Sequence, residues 1–123
     1  MTDLERYRDE IDEIDSEIVR LFEKRMKVSE EVAEYKIKTG KQVLDPVRES
    51  QKIHTLKEKA HGEFNSLGVQ ELFRQIMAIS RKRQYQLLVE LLLIPALIPK
   101  LPQSIVRVKS VSYTHLTLPT ILL

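Results

Sequence analysis

The residues able to do chemistry in this 123-residue chain are mainly cations set on an apolar helical pattern. Arg25 is the clearest case. Residues 4–35 follow a seven-residue repeat, with Leu4, Ile11, Ile18, Arg25 and Val32 at its first position and Tyr7, Ile14, Leu21, Val28 and Tyr35 at its fourth. Only Arg25 breaks that apolar seam. A guanidinium so placed needs a partner, because burying it alone is costly. It meets a ligand there, snorkels to solvent, or pairs with a nearby Glu. Arg8, Asp15 and Lys36 flank the seam at the fifth position, an ordinary place for charge in a coiled coil. Distance makes these cations informative. Arg25 and Lys36 are separated by about 16 Å of helical rise, which two long side chains partly close. Arg8 and Arg25 are about 25 Å apart, too far to grip one small molecule from a single helix. An antiparallel helix from a second copy would bring its Arg8 to the site.

Two further clusters deserve the same reading. Ser80 and Gln84 stand four residues apart on an otherwise apolar helical face. They bond each other or the backbone, or they line the cavity that Arg25 and Lys36 reach. Asp45, Arg48 and Glu49 open a second helix, where cap, helix dipole and local ion pairing account for all three. The alternative is a helix start that presents N–H groups and Glu49 to a hydroxyl-bearing ligand. His54 and His61 have no second ligand at metal spacing, so neither a metal nor a cofactor is expected. The chain has no Cys, which excludes disulfides and thiolate chemistry, and it has no Ser/His/Asp set and no phosphate-binding loop.

The elements that must position these groups read as helices. Thr2 with Glu5 has capping-box spacing, and Gly40 follows Lys36 and Lys38 as a stop, which predicts one helix over residues 3–39. Such a helix is about 55 Å long, more than the rest of a small domain can cover. That length predicts an intertwined homodimer. Asp45–Pro46 predicts the start of a second helix running to about Ala60 and ending near Gly62. A third is expected from about Asn65 or Ser66, with Val69, Leu72, Phe73, Ile76 and Leu87 on its apolar face. The fold class is therefore all-α, a three-helix protomer with one long N-terminal helix.

Composition changes after Leu88. Residues 1–88 hold 17 Lys+Arg, 17 Asp+Glu and one Pro, and the remaining residues hold four charges and four Pro. Residues 1–88 read as the functional domain and 89–123 as a tail, disordered or artefactual. Val111–Leu123 resembles translated sequencing-adapter read-through, the other reading being a genuine disordered or membrane-associating extension. The apolar run Val89–Leu101 is broken by Glu90, Pro95, Pro99 and Lys100, too short and interrupted for a membrane span. With a charged N-terminus and no signal-like run, the expected compartment is the cytoplasm. The net charge of +2 lies wholly in the tail, and no basic stripe with interleaved aromatics exists, so nucleic acid is not an expected partner.

Four blocks, taken in order, resemble the all-helical (AroQ) class of chorismate mutases. They are Leu4–Asp15 with Arg8 ahead of EIDEID, LFEKRMKVSEEVAEYK (Leu21–Lys36), LDPVRE (Leu44–Glu49) and LFRQIMAISRKRQ (Leu72–Gln84). The resemblance implies an intertwined helical dimer that rearranges chorismate to prephenate by a [3,3] shift, as part of Phe and Tyr biosynthesis. It implies that Arg25, with Arg8 of the other copy, holds the substrate carboxylates, and that Lys36 and Gln84 donate to the ether oxygen. Asp45 (through its backbone) and Glu49 would meet the ring hydroxyl, Ser80 would assist a carboxylate, and Arg48 would complete the polar wall. A pericyclic step needs no nucleophile or general base, in keeping with their absence. AHGEF (Ala60–Phe64) and SRKRQYQLL (Ser80–Leu88) resemble mutase domains fused to a prephenate dehydratase. Two rival functions are an isochorismate–pyruvate lyase on the same fold and a non-catalytic helical dimerisation module. The second would leave Arg25, Lys36 and Gln84 dispensable.

Overall fold

The computed structural model describes residues 2–97, and every element among them is helical. Helix α1 spans Asp3–Thr39, 37 residues. Its start is a complete capping box: the Thr2 hydroxyl accepts from the Glu5 N–H at 3.1 Å, and the Glu5 carboxylate accepts from the Thr2 N–H at 3.0 Å. It ends where Gly40 turns left-handed at φ 72°, a conformation that favours a residue without Cβ, and the Gly40 and Lys41 N–H groups close the last turn. On its outer face Glu17 and Arg20 are paired, and the Arg20 hydrogen bond holds the exposed Glu17 carboxyl below the usual range.

Helix α2 spans Pro46–Lys59, with the Asp45 carboxylate accepting from the Arg48 N–H at 3.0 Å and Pro46 at a position whose N–H would have no partner. Helix α3 spans Glu63–Leu88 and begins earlier than the polar pair Asn65–Ser66 suggests, at Gly62, which has no side-chain cap. Those two polar side chains serve the preceding turn instead. Asn65 donates to the His61 carbonyl at 3.1 Å, and the Ser66 hydroxyl donates to the Lys57 carbonyl at 3.0 Å, binding the end of α2 to the start of α3.

The compositional change after Leu88 does not interrupt the helix. Val89–Leu93 continues as a π turn and Ile94–Leu97 as a last helical turn, α4. The widening sits where Pro95 enters. Proline has no N–H to give the carbonyl four residues back, and its ring crowds that carbonyl, so a wider turn relieves both. The rest of the expected tail, residues 98–123, lies outside the described residues. No helix among those described is long and apolar enough to cross a membrane.

Helix α3 is the spine of the fold, packing on both α1 and α2. Ala33, Met77, Leu87 and Ile94 form the small apolar core, with Ser80 and Gln86 as its buried polar members. Arg83 ties α3 to α1 through Glu30 at 2.8 Å. Ala33 is 0% exposed. Ala33→Leu inserts volume with nowhere to go and is expected to cost about 1–3 kcal/mol. A thermal melt would then fall by roughly 4 °C or more; an unchanged melting temperature would show slack between α1 and α3.

The N-terminal half of α1 has no such cover. Leu4, Tyr7, Ile11, Ile14 and Ile18, the heptad seam read from the sequence, are each more than half exposed.

Candidate active site

A cavity of about 350 Å³ opens where the C-terminal half of α1, the Gly40–Asp45 loop, the start of α2 and the last turns of α3 converge. Its apolar walls include Val28 and Val32 of α1, Val43 and Leu44 of the loop, and Met77 of α3. Seven of the eight residues singled out in the sequence line it. Arg25 and Lys36 come from α1, Asp45, Arg48 and Glu49 from the loop and α2, and Ser80 and Gln84 from α3. Arg8 is not among them. It lies five turns back along α1, about 25 Å from Arg25, and is exposed.

Each α3 group is held by α1 rather than by its neighbour. The Arg25 guanidinium donates to the Ser80 hydroxyl at 3.2 Å, and that hydroxyl lies 3.7 Å from the Met26 sulfur. The Gln84 amide donates to the Ser29 hydroxyl at 3.2 Å. These two links run between helices, so the i, i+4 pair on α3 fixes its register against α1. Lys36 reaches across the helix end to the Val43 carbonyl at 3.2 Å, which ties the ammonium to the loop. Arg25 and Lys36 are both half-buried, and among the described residues neither has a carboxylate partner. Arg25 thus takes neither alternative open to it in the sequence, full exposure or pairing with a Glu.

Three polar lining residues lie beyond those singled out in the sequence. Ser29 follows Arg25 by one helical turn and Lys52 follows Arg48 by one turn, spacings that would have pointed to both. Arg81 had no local signal, because its place depends on how α3 is rotated against α2. It forms an ion pair with Glu49, Nη1 to Oε1 at 2.6 Å.

The cavity is electropositive. Arg25, Lys36, Arg48, Lys52 and Arg81 face two carboxylates, Asp45 and Glu49. Both carboxylates are already engaged, Asp45 as a helix cap and Glu49 with Arg81. The arrangement suits a small anion with more than one acidic group, with hydrogen-bond donors fixed in advance and apolar walls to exclude water. Among the described residues no group of three His, Cys, Asp or Glu is placed to hold a metal ion.

Residues 7–85 match the family model for chorismate mutase type II. No curated protein and no solved structure matches the chain. The matched span carries all of α2 and nearly all of α1 and α3, and on that ground the chain belongs to the chorismate mutase type II family, isomerases that convert chorismate to prephenate.

Proposed function

We propose that this cavity is the place of the rearrangement and that it is completed by a second copy of the chain. The observation that carries the reading is the pair of half-buried cations, Arg25 and Lys36, bonded among the described residues only to neutral oxygens in a cavity with an excess of positive charge. Arg25 takes one substrate carboxylate through guanidinium donors that Ser80 leaves free. Lys36 and Gln84 donate to the ether oxygen as its C–O bond breaks and the new C–C bond forms. Asp45, through its backbone, and Glu49 receive the ring hydroxyl, and Arg48 closes the polar wall. No proton changes hands. The rate comes from holding the compact reactive conformer and from donors already aimed where negative charge grows.

The second carboxylate is left to Arg8 of another copy. What supports that copy is the uncovered seam from Leu4 to Ile18, an apolar stripe of the kind soluble chains rarely leave bare. Arg8 flanks this stripe, so an antiparallel α1 laid along it carries its own Arg8 toward Arg25.

The test follows chorismate absorbance in the ultraviolet with prephenate identified as product, beside isochorismate as an alternative substrate and with sizing of the active species. Prephenate formed by a dimer is the expected result. Pyruvate and salicylate from isochorismate, without prephenate, would favour a lyase. A dimer that transforms neither substrate would reduce the cavity to a feature of a helical scaffold.

A further inference from the structure

Glu49 presents an arrangement that its own helix does not explain. Arg48 is adjacent in sequence and Lys52 is three residues on, both lining the same cavity, and each is a natural local partner for the carboxylate. The carboxylate takes neither. It crosses to α3 and meets Arg81, Nη1 to Oε1 at 2.6 Å. Glu49 retains a quarter of its side-chain exposure and Arg81 about two-fifths, with figures of 25% and 41%. The contact uses a single carboxylate oxygen. Among the described residues no donor reaches Oε2, so one acceptor oxygen is left open on a carboxylate whose other oxygen is fixed.

The pair is also a partition. Glu49 and Arg81 line the cavity on one side and, on the other, a second groove between α2 and α3 that includes Ile53, Lys57 and Arg74. Other cations line the two spaces that this wall separates, Arg48 and Lys52 the cavity and Lys57 and Arg74 the groove, and would compete for a carboxylate released from Arg81.

We infer that Arg81 is a positioning residue for the mutase reaction, holding Oε1 of Glu49 so that Oε2 is presented to the ring hydroxyl of the substrate. The inference rests on the reading of Glu49 as the acceptor of that hydroxyl. The hydroxyl takes no part in the bond changes, so its contact persists from bound substrate to transition state. Loss of such a contact raises KM and spares kcat.

The experiment is a double-mutant cycle on the full chain, with chorismate as substrate. Arg81→Met is expected to raise KM about tenfold with kcat held within about threefold, the size of one charge-assisted hydrogen bond. Arg81→Lys, which restores a cation but not the fork, is expected to recover part of that loss. In a Glu49→Gln background, Arg81→Met should alter kcat/KM by less than about threefold, because the group it positions is gone. A tenfold loss that persists there would overturn the inference and make Arg81 a direct substrate contact. A fall in kcat at saturating chorismate with KM unchanged would likewise overturn it, marking a poorly folded fraction. If Glu49→Gln impairs the enzyme and Arg81→Met does not, Arg81 alone loses its role. If Glu49→Gln has no effect, the reading of Glu49 falls and takes this one with it.

Discussion

Lys36→Ala is expected to lower kcat by about 10²–10³, the usual consequence of removing one preorganised donor from developing negative charge. The thermal melt should move little by comparison. In the folded chain Lys36 makes one hydrogen bond, to the Val43 carbonyl at 3.2 Å, and such a bond contributes about 1 kcal/mol. The disparity between the two effects is the point of the measurement. The ammonium is half-buried and among the described residues has no carboxylate to neutralise it, so its charge stands available to an oxygen entering the cavity. Its link to Val43 uses one of three donors and fixes the head group before substrate arrives. Reorganisation at the moment of reaction is thereby small. Stopped assays at saturating chorismate, with circular dichroism melts on the same preparations, check both halves. A variant within about threefold of the parent in kcat would remove Lys36 from the reaction, since no donor to the breaking bond is so dispensable.

Much of this geometry was legible because it is set by local chemistry. The Thr2–Glu5 box, the left-handed Gly40 and the Asp45–Pro46 start each need only a few neighbouring residues to be satisfied, and each appears where the spacing puts it. The start of α3 was misread for a physical reason. Asn65 and Ser66 are good cap residues, but both are drawn back to the preceding turn, to the His61 and Lys57 carbonyls, while Gly62 opens the helix unaided. The continuation past Leu88 was hidden by the proline that follows. A composition poor in charge says little about backbone when leucines are helix formers and a single π turn absorbs Pro95.

For the site, the sequence could place Arg25 on a seam and Ser80 with Gln84 on an apolar face, since helical periodicity alone does that. It could not say which way the faces turn. The Arg25–Ser80 and Gln84–Ser29 links settle the rotation of α3 against α1, and the Arg81–Glu49 pair that of α3 against α2. Interhelical rotation is a property of packed volumes, not of any one helix. Arg81 enters the cavity only once that rotation is fixed.

Arg8 makes the strongest demand on assembly. Arg8→Ala and Arg25→Ala should each lower kcat/KM on the order of 10²-fold, since each removes the partner of a desolvated substrate carboxylate. Mixed as equal amounts of chain, unfolded and refolded together, the two inactive variants should regain about one quarter of the parent activity. The fraction follows from symmetry. Random pairing makes half the dimers hybrid, and in each hybrid one site has both substitutions while the other has neither. That second site combines Arg25 from the chain altered at position 8 with Arg8 from the chain altered at position 25. Recovery therefore requires that the two residues act on one substrate from different chains. If Arg8 served its own chain, every site in the mixture would retain one defect, and refolding would restore nothing. If Arg8 had no role, Arg8→Ala would be active before mixing. The roughly 25 Å of α1 between the two arginines argues against the own-chain outcome, because a rigid helix cannot fold back on its own cavity. The bare seam from Leu4 to Ile18 supplies the reason for a second helix to lie where Arg8 would be delivered.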